Sequence, residues 1–138
     1  MTSKLSFKQI ITAGLTAAVV AAVINAILFF VFHSLGTITD DIFVQPNQPL
    51  TIVPVIMASI VPSIVASLVF FLMEKYTNNG FRVFSIISIL FMLASLAGPF
   101  MGIKGITTGY ALVLCAMHIV VTVCLLYFFS RANKTKAK

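Results

Sequence analysis

Four apolar blocks, at residues 10–32, 50–73, 81–100 and 108–129, dominate the chain, and none carries Asp, Glu, Lys or Arg in its central part. A helix crosses roughly 30 Å of hydrocarbon with about 20 apolar residues, so each block is long enough to span a bilayer. Helices are the economical solution there, because a spanning helix satisfies its own backbone hydrogen bonds. Membrane barrel strands would alternate polar and apolar residues over about 10 positions, and these blocks do not alternate. With 60% hydrophobic and 9% charged residues, the chain cannot cover a water-exposed surface as an ordinary domain of about 25% charged residues does. The expected fold is all-α: one domain, an integral membrane four-helix antiparallel bundle running up-down-up-down.

The first block competes with a secretory signal, for which Lys4 and Lys8 would form the charged leader. Its apolar stretch exceeds the roughly 7–15 residues of a signal core, so it is expected to be retained as a span. Charge then orients the bundle. Lys4, Lys8, Lys75, Arg82, Arg131, Lys134, Lys136 and Lys138 fall on the side that carries both ends of the chain, against Lys104 alone on the other. The positive-inside rule makes that side cytoplasmic, so both termini are expected there. The basic tail 131–138 reads as a topology signal with some attraction to lipid headgroups. Nucleic acid is not an expected partner, since no aromatic residues interleave with the cations.

The loop 36–49 is the one sizeable segment outside the blocks. Pro46 and Pro49 set turns in it, and Ile42, Phe43 and Val44 are expected against the membrane interface. Asp40 and Asp41 lack the further carboxylates of a calcium loop. Asn78, Asn79 and Gly80 form a turn signature that makes spans two and three antiparallel neighbours, and Gly98 and Pro99 are expected to close span three.

Small residues recur at helical spacing in each span, as close helix packing in lipid requires. Span one has Gly14, Ala18, Ala22 and Ala26, beside a ridge of Ala17, Ala21 and Asn25. Span two has Ser59, Ser63 and Ser67, span three a looser Ser85, Ser88 and Ser95, and span four Ala111, Cys115, His118 and Thr122. The four faces are expected to meet, with the Leu, Ile, Val and Phe faces turned to lipid. Mid-span Pro62 removes a backbone hydrogen bond and predicts a kink, with Ser59 and Ser63 placed to help re-satisfy the freed groups.

Intramembrane polar and ionisable residues are functional candidates. At about 1.5 Å per residue, Asn25 lies roughly 10 Å from the loop end of span one, Ser59 roughly 14 Å into span two and His118 roughly 15 Å into span four, with Ser95 shallower on span three. The candidate polar niche is therefore His118, Asn25, Ser59 and Ser95. In one reading it binds a small ligand, with His118 as anchor or proton carrier. In the other His118 bonds Asn25 or a serine and holds the bundle together, at about 0.6 kcal/mol per such bond. His33 sits at the interface, about 15 Å from the level of His118, so the two histidines do not suit one haem. Cys115 and Cys124, about 13 Å apart on one helix, cannot pair and read as small apolar groups. No metal, cofactor or catalytic motif is present.

The segment Ser95-Leu96-Ala97-Gly98-Pro99, then Leu112 to His118 with its Met117-His118 pair, and Ala21, Ala22 and Asn25 in span one resemble a bacterial family of small four-span membrane proteins classed as a domain of unknown function. The resemblance implies a bacterial plasma membrane and no established activity. The expected function is a non-enzymatic membrane protein with a small polar niche, in contact with membrane lipids and binding a lipid-soluble ligand, a membrane protein partner or a second copy of itself. The alternatives are an oligomeric transporter or channel subunit, and a lipid- or quinone-directed enzyme.

Overall fold

The computed structural model describes residues 4–135; Lys136 and Lys138, two of the cations in the topology argument, lie outside them. Among the described residues, four helices are long and apolar enough to cross a membrane. They are α1 (Phe7–Ser34), α2 (Ile52–Tyr76), α3 (Gly80–Ser95) extended by the short α4 (Gly98–Gly102), and α5 (Thr108–Thr135). A hairpin of β1 (Phe43–Gln45) and β2 (Gln48–Pro49), turned by Pro46 and Asn47, lies between α1 and α2. Asn47 takes the positive φ of 59° that its turn demands. The helices run several residues past most of the apolar blocks, as helices ending in an interfacial layer can.

Contacts between neighbours set their directions. Gly14, early in α1, faces Ser67, late in α2, and Phe129, late in α5. Asn25, further along α1, meets Ser59 and Met117. Phe70 of α2 packs on Phe81 and Phe84 at the start of α3. Each of these pairs is antiparallel. One end of the bundle thus carries the described ends of the chain and the α2–α3 turn; the other carries the hairpin and the α4–α5 loop.

Helix α1 is the spine. It packs along both α2 and α5, while α3 touches those two more sparsely and α2 scarcely meets α5. The small-residue ridges explain this. Gly14, Ala17, Ala18, Ala21, Ala22 and Asn25 are all buried, as are Ser59, Ser63 and Ser67. A Cβ added at Gly14 would collide with the Ser67 hydroxyl, so glycine is what lets the backbones approach. The serines donate to carbonyls one turn back, Ser59 to Val55, Ser63 to Ser59 and Ser67 to Ser63, which hides their polarity within the helix.

Two apolar clusters close the ends. Near the chain ends, Phe70, Phe84 and Phe129 form a ring triad with centroids 4.5–5.2 Å apart, joined by Leu5, Ile10 and Cys124. At the hairpin end, Ile38, Ile42 and Leu50 cover Phe29, Val55, Tyr110, Val113 and Met117. Ile42 is therefore inside the protein rather than at the membrane interface, Val44 is partly buried, and only Phe43 of the trio is exposed. The loop folds back over the helix ends because two of its isoleucines find a protein cluster there.

Two local details complete the frame. Gly80 starts α3 where a Cβ would lie 2.5 Å from the Glu74 Cα, so the α2–α3 turn requires glycine. Span three breaks at Ser95 and resumes at Gly98. Pro99 has no N–H for the Ser95 carbonyl, so the proline interrupts the helix and restarts it in the first turn of α4 rather than simply ending it.

Candidate functional site

Between the two clusters α2 and α3 diverge. They are pinned together by Phe70 and Phe84 at one end and leave a groove of 980 Å³ along most of their length. Helices α2 and α3 form its walls, α5 its floor, Asn25 of α1 stands at its back, and Val44, Gln45 and Leu50 of the hairpin region flank its mouth. Most of the surface is apolar. The polar groups are Asn25, Ser88, Ser95, His118 and Thr122 within it and Gln45 at the mouth.

The groove brings together three of the four residues that sequence reasoning placed in a niche. Asn25 and Ser59 are in direct contact: Asn25 Nδ2 donates to Ser59 Oγ at 3.0 Å and to the Met117 carbonyl at 3.2 Å. Ser59 lies behind the groove, fully buried between α1 and α2. Ser95 lines the groove and donates to the Met92 carbonyl at 2.7 Å. His118 lines the floor on an exposed part of α5, and its Nδ1 is 2.7 Å from the Leu114 carbonyl of its own helix. It therefore bonds neither Asn25 nor a serine.

Hydrogen bonding decides what these groups offer an occupant. A carbonyl only accepts, so His118 Nδ1 donates to that of Leu114. Thr122 donates to the His118 carbonyl and Ser95 to that of Met92, so both hydroxyls have spent their protons. The Met117 carbonyl likewise orients the Asn25 carboxamide, leaving Oδ1 fully buried with no partner. Pro62, on the α2 wall beside Ala58, has no N–H to give the Ala58 carbonyl one turn back. Ser59 and Ser63 do not supply one, since their hydroxyls go to Val55 and Ser59. The groove is rich in acceptors and poor in donors; Ser88 and Gln45 carry side-chain groups that can do either.

Outside the groove, His33 Nε2 is 3.2 Å from Asp40 Oδ1 at the exposed hairpin end. Cys115 donates weakly to the Leu96 carbonyl at 3.4 Å, tying α5 to the far end of α3, and Cys124 lies in the phenylalanine cluster. Among the described residues no three His, Cys, Asp or Glu side chains converge as a metal site would need. Sequence reasoning missed the Met117 carbonyl, which Asn25 reads, and it expected Ser59 and Ser63 to re-satisfy the group freed by Pro62, whereas their hydroxyls go to the Val55 and Ser59 carbonyls.

These features define a small protein with, among the described residues, four helices long and apolar enough to cross a membrane and a groove between two of them. The family model for DUF6069, a family of unknown function, matches residues 6–135, and the chain belongs to that family. No curated protein and no solved structure matches it.

Proposed function

We propose that this protein is a non-enzymatic component of a bacterial plasma membrane, with both termini cytoplasmic, that holds a lipid-soluble amphiphile in the groove between α2 and α3. The observation that carries this reading is the unpartnered Asn25 Oδ1 at the back of an apolar groove. A buried acceptor left without a donor costs about 1–3 kcal/mol, and a hydroxyl or amide brought by an occupant recovers it once the Asn25 carboxamide turns its covered oxygen toward the groove. A volume of 980 Å³ is at the upper end of the range for small-molecule sites, about 300–1,000 Å³. The groove runs along α2 and α3, two helices of membrane-spanning length, so an occupant would enter it from lipid. The acceptor-rich lining selects an occupant whose polar end donates, such as a long-chain alcohol, over an acceptor-only quinone. His118 is the one titratable side chain in the lining, which argues against acid–base chemistry on the occupant.

Native mass spectrometry of protein released from nanodiscs, beside His118→Ala and Asn25→Leu, tests this directly. The probes are geranylgeraniol and its methyl ether, which share a chain and differ in one donor. The expected result is retention of the alcohol by the wild type about tenfold above the ether, in line with 1–3 kcal/mol for one satisfied buried acceptor, with the preference lost in Asn25→Leu and weakened in His118→Ala. Equal retention of both probes, or variants indistinguishable from wild type, overturns the reading. The charge states also report stoichiometry, and an oligomer bare of ligand would instead favour a transporter or channel subunit.

A further inference from the structure

A second concavity lies at the opposite end of the molecule from the hairpin, between the start of α1 and the last turns of α5. Lys8, Arg131 and Lys134 converge on it from two helices, with Gln9, Thr12 and Thr135 beside them, and no acidic residue lines it. Its apolar wall is Ala13, Phe128 and Ala132. Two of the three acids of the chain, Asp40 and Asp41, are at the other end of the bundle, and Glu74 is buried against the backbone N–H of Leu5. The Arg131 guanidinium carbon lies 5.9 Å from the centroid of the Tyr127 ring, within reach of a cation–π contact. The cavity, of 560 Å³, sits at the start of α1 and the end of α5, two helices long and apolar enough to cross a membrane.

We infer that this cavity is a binding site for the phosphate of an anionic phospholipid of the adjoining leaflet. Three cations around one concavity suit a phosphodiester, Arg131 through paired N–H donors and the lysines as point charges. The hydroxyl and amide groups suit the glycerol or headgroup oxygens, and the apolar wall suits the start of the acyl chains. Basic pockets between helices at the cytoplasmic face of membrane proteins have this chemistry. The site is independent of the α2–α3 groove and shares no lining residue with it.

The test uses the full chain, delipidated in dodecylmaltoside and titrated with phosphatidylglycerol or phosphatidylcholine of the same chains, with bound lipid counted by native mass spectrometry. The wild type is expected to bind its first phosphatidylglycerol at least tenfold more tightly than phosphatidylcholine. A cation near a headgroup is worth about 1 kcal/mol, or roughly fivefold, so Lys8→Gln with Arg131→Gln is expected to lower that affinity about 25-fold. The control, Lys75→Gln with Arg82→Gln, removes the same charge from the same end but outside the cavity, and is expected to leave it within about twofold. Circular dichroism confirms that each variant is folded. Equal losses in both double variants would overturn the site in favour of diffuse surface charge. No preference for phosphatidylglycerol would also overturn it. So would displacement of the lipid by millimolar inorganic phosphate, because the site would then read free phosphate rather than lipid.

Discussion

Replacing Asn25 with Leu separates a structural asparagine from a binding one, because the structure gives opposite signs for stability and for ligand capture. Asn25 Nδ2 makes two interhelical bonds, to Ser59 Oγ and the Met117 carbonyl. Bonds of this kind average about 0.6 kcal/mol in a bilayer protein, so leucine forfeits about 1.2 kcal/mol. Neither partner is stranded. Ser59 keeps its proton on the Val55 carbonyl, and the Met117 carbonyl lies inside α5, where the helix ladder also uses it. Against that loss stands Oδ1, buried without a donor, whose removal returns about 1–3 kcal/mol. Leucine keeps the branched skeleton of asparagine but is larger, and the groove that Asn25 lines is the space that can take up the extra volume. The net expectation runs from no change to about 2 kcal/mol of added stability, while the preference for geranylgeraniol over its ether disappears. Reversible unfolding in mixed dodecylmaltoside and dodecyl sulfate micelles, followed by helicity, measures the first quantity. A loss of about 1 kcal/mol or more on Asn25→Leu would show that Oδ1 has a donor in the folded protein, and the acceptor argument for the groove would fall with it.

Three further substitutions probe the frame and the floor. Gly14→Val drives a branched side chain into Ser67 across the α1–α2 crossing and is expected to cost about 1–3 kcal/mol in the same unfolding assay, with part of it restored by adding Ser67→Gly. Gly80→Ala sets a Cβ against Glu74 backbone, which no rotamer relieves, so a larger loss and a displaced α2–α3 turn are expected by thermal melting. A cysteine at His118 is expected to react with a membrane-permeant maleimide while the buried Cys115 and Cys124 stay slow, and geranylgeraniol is expected to slow it. A His118→Cys thiol as protected as Cys124 would mean the groove is closed in the membrane.

What the sequence reveals and what it hides divide along one line. Segments whose partner is lipid or a regular helix face are legible, because the apolar runs and the recurrence of small residues report them directly. Gly14 with Ala18 and Ala22, and Ser59 with Ser63 and Ser67, read as packing faces and are buried as such. Sequence reasoning places Asn25 and Ser59 in one polar niche, and they meet directly, although the bond expected there is one from His118. His118 shows the limit. Its stripe with Ala111, Cys115 and Thr122 implies one continuous interior face, yet only Ala111 and Cys115 are buried. Whether a stripe is covered depends on the helix opposite, and nothing in α5 itself encodes that α3 stands off. The hairpin over the helix ends is equally hidden, since Ile38 and Ile42 look the same whether their neighbour is lipid or Tyr110.

The stand-off of α3 has a physical cause that can be tested. Helices α1 and α2 carry small residues at every fourth position, so they interlock, whereas α3 offers Ser85, Ser88 and Ser95 at uneven steps between bulky residues. It buries only Gly80 and Phe84, and 11% of its most apolar stretch is buried, against 28–33% for the other three. Two anchors then hold it, Phe84 between Phe70 and Phe129 at one end and the Leu96 carbonyl with Cys115 at the other. A helix anchored at its ends and unmatched along its middle leaves a groove. Removing the first anchor with Phe84→Ala, a change worth about 3–5 kcal/mol in a packed core, is expected to loosen α3 rather than unfold α1, α2 and α5, which hold one another without it. Cys124, in the same cluster as Phe84, is then the reporter. Its maleimide reactivity is expected to rise while the helicity of the other three spans persists. Unchanged reactivity would show that the phenylalanine cluster does not need α3, and global unfolding would show that α3 is integral to the bundle; either result would remove this account of why the groove opens.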